Sequence, residues 1–141
     1  MGKERQFSKS NRGVAAIEFA ILAPLVVLLL FGIIAYGIFF GAAHSVQQLA
    51  ANSARAAMGG LDEEERQQLV DQYVATATAD SGLIRKTYLD VELSTPEGLD
   101  DFLMVTVSYD ATHLPMWNLY AGLPLPEKTI TRKSVIRTGG Y

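Results

Sequence analysis

The residues of this chain whose types and spacing could do chemistry are Gly13, Val14 and Glu18. Glu18 is the one acidic or basic side chain between Gly13 and Ala43. The surrounding run, from Arg12, reads RGVAAIEFAILAPLVVLLLFGIIAYGIFFGAA. A carboxylate placed in such a run is costly, and a partner for it should be named. Were the backbone cut between Gly13 and Val14, a new α-ammonium would appear on Val14. Four residues is one helical turn, so amine and carboxylate would share a face. They could then neutralise each other in one chain or between staggered neighbours. The competing reading is that Glu18 lies shallow enough to snorkel to lipid headgroups. Elsewhere no nucleophile–base pair, metal cluster or phosphate loop is legible, so neither catalysis nor a cofactor is expected. The two histidines, His44 and His113, read as a solvated helix residue and a loop residue. The absence of cysteine excludes disulfides and thiolate metal sites.

The element that positions Glu18 is the apolar run itself. About 20 residues suffice to cross a bilayer as a helix, and this run is longer. Pro24 lies inside it, removing a backbone donor and crowding the carbonyl of Ala20, so a kink is expected there. Gly37 and Gly41, four apart, would allow close approach of a second helix. Charge sets the orientation. Residues 1–13 hold four Lys or Arg against one Glu, a net +3. Residues 44–141 hold eight Lys or Arg against thirteen Asp or Glu, a net −5. A basic flank keeps its end cytoplasmic, which puts the acidic remainder across the membrane. That acidity also argues against nucleic acid as a partner. Four segments are therefore expected: a basic leader over 1–13, a transmembrane helix over 14–43, a helical extension over 44–60 and an outer domain over 61–141.

The fold class expected is α+β. The alanine-rich stretch after His44 has no Pro or Gly before Gly59, with Val46, Leu49, Ala50, Ser53 and Ala57 on one face. One helix from Val14 to Met58 would run about 68 Å. A second helix opens with Asp62 as cap and Glu65 three residues on, and ends near Ser81-Gly82. Its apolar stripe is Leu69, Tyr73 and Ala77, with Val70 and Val74. Period-two alternation predicts strands over 87–94, 101–111 and 128–137. Leu103, Val105, Val107 and Tyr109 face one way on the second strand, which is expected to be central. Between the last two strands runs an unusually apolar loop holding the only Trp, Trp117, and also Tyr120. Long apolar loops are usually functional. These two aromatics are candidate partner contacts, against the simpler reading that the loop folds back over the sheet or rests on the membrane.

The order of a basic leader, Gly13, an apolar segment and Glu18 resembles the class III signal of type IV pilins and pseudopilins. That resemblance implies cleavage between Gly13 and Val14 by a prepilin peptidase. An ordinary signal peptide would have an apolar region of only 7–15 residues. Arg12-Gly13-Val14-Ala15-Ala16-Ile17-Glu18-Phe19-Ala20, the Leu22-Ala23-Pro24-Leu25 step and the alanine-rich Gln48 to Ala57 are similar to the TadE-like pseudopilins of the tight adherence, or Flp pilus, machinery. TadG-like relatives are usually much longer, while a TadF-like assignment stays open. Val14 departs from the Phe common at the first mature position of type IV pilins. Phe19 departs from the Tyr of major Flp pilins, which argues against the major fibre subunit. The resemblance implies an inner-membrane minor pilin with no enzymatic activity, serving adhesion and biofilm formation. Its implied partners are the membrane, the prepilin peptidase, other pilins and pseudopilins, and the inner-membrane assembly platform. The alternative is an uncleaved single-span adaptor or sensor with a binding domain outside.

Overall fold

A computed structural model describes residues 10–79, 81–119, 122 and 124–138. Helix α1 spans Ser10–Ala57 and α2 spans Glu63–Ala79. Strands β1 (Leu89–Ser94), β2 (Phe102–Asp110) and β3 (Thr129–Arg137) form one antiparallel sheet in the order β1-β2-β3. The chain is thus α+β, as expected, with a long apolar helix, a second helix and a three-stranded sheet. At 1.5 Å per residue α1 is about 72 Å long. It begins one turn before the expected start at Val14, because nothing between Ser10 and Gly13 forbids helix and Gly13 only weakens it.

The end of α1 is set by backbone fit. A Cβ on Gly60 would lie 2.6 Å from the amide nitrogen of Arg66, so the chain can reverse this tightly only with glycine there. Arg66 then ties the turn by donating from Nε to the Gly60 carbonyl. Next comes the cap of α2. The Glu65 N–H donates to Asp62 Oδ1 at 2.8 Å. Glu65 Oε2 accepts from the N–H of Leu61 at 2.8 Å, one residue earlier than in the usual reciprocal box.

Both α2 and the inner face of the sheet pack on the upper part of α1. From α1 the core takes Ala42, Ala43, Val46, Leu49, Ala50, Ser53, Ala54 and Ala57, all buried. Ala35, well below them, is fully buried too. The packed face therefore starts earlier than the alanine-rich stretch after His44. The buried stripe of α2 is Val70, Val74 and Thr78, while Ala77 is exposed. Thr78 can take the buried position because its hydroxyl donates to the Val74 carbonyl at 2.7 Å.

Strand β2 is central, as its pattern predicts. Leu103, Val105, Val107 and Tyr109 are buried, and the alternate residues Phe102, Met104, Thr106 and Ser108 are half-buried. The register pairs Leu89 with Tyr109 and Tyr109 with Ile130 at one end. At the other end Phe102 faces Arg137. β1 is shorter than expected, since Lys86–Tyr88 form a 3₁₀ turn before it.

The apolar loop after β2 folds back. Ala111–His113 and Pro115–Asn118 are 3₁₀ turns, and the second packs on α1. Ala111, Leu114 and Met116 are buried. Asp110 caps the first turn, accepting from the Thr112 N–H at 2.9 Å and from its hydroxyl at 2.6 Å. These bonds hold the Asp110 carboxyl below its ordinary value, the hydroxyl bond being the larger cause. Further on, the Tyr36 hydroxyl of α1 donates to the Pro124 carbonyl at 2.8 Å and pins the loop to the helix.

Candidate functional site

Among the described residues none forms a covering layer over the lower part of α1. Val14, Ile17, Phe19, Ile21, Leu22, Leu25, Leu29, Leu30 and Ile33 are between 50% and 72% exposed. A monomer in water rarely shows an apolar surface of that extent. Among the described residues this is the one helix long and apolar enough to cross a membrane, with a mean hydropathy of 2.7 over its best window.

Gly13, Val14 and Glu18 lie in the first turns of this bare segment. A Cβ on Gly13 would meet nothing within 4 Å, so no described part of this chain shields the Gly13–Val14 bond. Both residues are nevertheless helical here. A peptidase that takes its substrate extended would first have to unwind this turn. Glu18 is exposed on the same turn-by-turn face as Val14. Among the described side chains the one ion pair is Arg137 with Asp101 at 3.9 Å. The side chains of the leader cations Lys3, Arg5, Lys9 and Arg12 lie outside those described.

The helix continues through Pro24, which leaves the Ala20 carbonyl without its usual intrahelical donor. Gly37 and Gly41, one turn apart, have different surroundings. A Cβ on Gly37 would meet nothing, whereas one on Gly41 would touch Leu83 Cδ2 of the outer domain at an ordinary 3.6 Å. Among the described residues nothing packs closely enough to require either glycine, and nothing covers Gly37.

Trp117 is half-buried. Its Nε1–H donates to the Ala111 carbonyl at 2.6 Å, and the Lys128 ammonium stands 5.7 Å from its ring centroid. Its indole N–H is thereby engaged within the loop. Tyr120 falls outside the described residues. Of the hollows in the domain, one of about 200 Å³ between the helices is lined by Ser45, Gln48, Asn52, Tyr73, Thr78 and Ser81 among others. Another, about 400 Å³, is bordered by Arg85, Tyr88, Tyr109 and His113. In the second, the His113 and Tyr88 rings stack at 3.7 Å and the Tyr109 hydroxyl donates to the Leu83 carbonyl. Burial raises the Tyr109 pKa above its ordinary value. Neither of these hollows holds a nucleophile beside a base.

The residues brought together are therefore Gly13, Val14 and Glu18, on one bare rod. The model of the TadE-like family matches residues 13–55. That match opens on Gly13, takes in Glu18 and Pro24, and stops just short of the end of α1. Over this segment the chain is thus similar to TadE-like proteins, in line with the resemblance in its first sixty residues. TadE-like chains belong to the tight adherence pilus system, a structural role and not a known enzymatic one. No curated protein and no solved structure matches the chain.

The contact that residue-level reading missed is Tyr36 with Pro124. No sequence signal points to that contact, although Ala35 and Ala42 carry the face of Val46, Ala50 and Ala54 about three turns further down the helix.

Proposed function

We propose that this protein is a minor pseudopilin of a tight adherence pilus, held in the inner membrane by α1 and cut after Gly13 by a prepilin peptidase. The family match carries this reading, because it begins on the residue whose carbonyl the cut would free. Cleavage gives Val14 an α-ammonium one turn from Glu18, in an apolar segment where an isolated carboxylate is costly. The pair lowers that cost within one subunit, or it draws a new subunit to its neighbour. Pro24 supplies a point of bending when the helix leaves the bilayer, since the Ala20 carbonyl already lacks its donor there. Gly37 offers a place for another helix to approach closely. The basic leader stays in the cytoplasm, where the peptidase works and the assembly platform receives the subunit. The domain beyond α1 faces the other side, among the other pilins and pseudopilins.

N-terminal sequencing of the protein extracted from its native membrane tests the proposal. Val14 as the first residue supports it; Met1 with the leader intact favours an uncleaved single-span adaptor or sensor instead. Gly13→Ala should leave a slower-migrating precursor wherever the peptidase is present. Glu18→Ala should still be cut but should fail to support pili, and normal piliation would refute the pairing. A reporter fused after Tyr141 should be active outside the cytoplasm, and cytoplasmic activity would overturn the orientation.

A further inference from the structure

The helix is a ruler, and it shows where the outer domain sits. From Val14 to Ile34 no residue of α1 is fully buried, and these 21 residues span about 32 Å. The hydrocarbon core of a bilayer is about 30 Å thick. The next residue, Ala35, is fully buried, and the one after it, Tyr36, holds the Pro124 carbonyl. The loop therefore reaches down to the height where hydrocarbon ends. At that height α1 carries Tyr36, Phe39 and Phe40. The ring centroid of Phe40 is 6.1 Å from that of Tyr36 and 6.0 Å from that of Phe39. Phe40 is 63% exposed. Aromatic rings of this kind gather at the boundary between headgroups and hydrocarbon.

The neighbouring loop is fixed just above. Leu83 lies against Gly41, five residues or about 7.5 Å beyond Tyr36. Arg85 and Lys86 follow it and are exposed. The headgroup zone adds roughly 5–7 Å on each side of the hydrocarbon, and long basic side chains can cross that distance by snorkelling. In sequence Leu119–Pro126 carries no charge at all, in a domain that is otherwise acidic. Pro124 is exposed there.

We propose that the loop at Pro124–Pro126, together with the Tyr36–Phe40 collar, is a lipid-docking foot seated in the headgroup zone of the outer leaflet. The occupant of this surface is phospholipid, since the collar, the uncharged loop and the flanking cations lie in the order that the bilayer presents. The outer edge of the span then falls at Ala35–Tyr36, well short of Ala43. The domain stands on the membrane in a fixed attitude until the subunit is extracted. This inference rests on α1 crossing the bilayer, and its test separates the two.

The chain has no cysteine, so single-cysteine variants report without background. Full-length Pro124→Cys, Ile21→Cys and Glu97→Cys are labelled with an environment-sensitive fluorophore and placed in phosphatidylethanolamine–phosphatidylglycerol nanodiscs. Some discs carry a nitroxide at the headgroup, others one at the end of an acyl chain. Position 124 should be quenched several-fold more by the headgroup nitroxide than by the acyl one. Position 21 should show the reverse, and position 97 should respond to neither. Gly122→Cys repeats the loop measurement should Pro124→Cys not fold. Quenching at 21 but none at 122 or 124 overturns the foot and leaves the span standing. A blue-shifted label at 124 that lipid does not quench, and that depends on protein concentration, assigns the surface to a second copy and also overturns it. No lipid quenching at 21 removes the span and the foot together.

Discussion

Helix α1 is one continuous rod with two halves in different surroundings, one bare and one covered by the domain. Its lower half shows Phe19, Ile21, Leu25, Leu29 and Ile33, large side chains all at least 60% exposed. Its upper half offers mainly alanines to the domain, with Ala42, Ala50, Ala54 and Ala57 fully buried. Both halves are apolar, so hydrophobicity alone does not tell them apart. Side-chain size does. Small residues let α2 and the sheet come close to the helix axis, as at any tightly packed interface. Large ones fill space that a fluid surrounding leaves available. A helix can thus serve as anchor and as core without a break, provided the change from large to small falls where the surroundings change.

The sharpest way to break this comparison is to remove what the covered half is packed into. Met116 sits fully buried in the 3₁₀ turn that lies on α1. Met116→Ala should cost about 2–5 kcal/mol in a denaturant titration of the full chain in detergent. A smaller effect follows from enlarging the small face. Ala54→Leu should cost about 1–3 kcal/mol, because a closely packed site has no room for extra methylenes. Leu29→Ala, in the bare half, should leave the same unfolding transition where it is. Equal effects from the two would mean that the halves are not distinct. Ser53 sharpens the contrast further. It is buried in the covered half and its hydroxyl has no partner among the described residues, so Ser53→Ala should raise stability by about 1 kcal/mol. A loss of stability instead would show that the hydroxyl is satisfied after all.

Local rules made most of the framework legible. The caps and stops at Gly59-Gly60, Asp62 and Ser81-Gly82, and the alternation along Leu103 to Tyr109, are decided by near neighbours, and they appear where the residues place them. The bare turn carrying Gly13 and Glu18 was legible for the same reason, since charge in an apolar run stands out without any tertiary knowledge. What the sequence hid was long-range. Tyr36 and Pro124 are 88 residues apart, and no periodicity links them. The choice of Thr78 over Ala77 for the core was also hidden. Hydropathy favours the alanine, but the angle between the helices decides which residue points inward, and a hydroxyl bonded to its own helix is cheap to bury.

The cap on α2 tests whether the second helix depends on α1 or on its own end. Asp62→Ala removes the acceptor for the Glu65 N–H and should cost about 1 kcal/mol, read as a lower midpoint of unfolding. Asp62→Asn should recover most of that loss, because the amide oxygen still accepts.

The smallest effect lies at the C-terminal end of β2, and it depends on pH. Asp110 is held below its ordinary value of 3.8 chiefly by the Thr112 hydroxyl and then by the Thr112 N–H. A carboxylate whose folded pKa is depressed adds stability above its unfolded pKa, and that contribution fades as pH falls through the folded value. Thr112→Val removes the hydroxyl and keeps the N–H. The variant should therefore be slightly less stable than the parent at neutral pH, and the two unfolding curves should converge below the carboxylate range. Thr112→Ser keeps the hydroxyl and should follow the parent throughout. A gap between the Thr112→Val variant and the parent that stays constant down to the acid limit would trace the loss to side-chain packing, leaving the Asp110 bond without a measurable share in holding the loop turn.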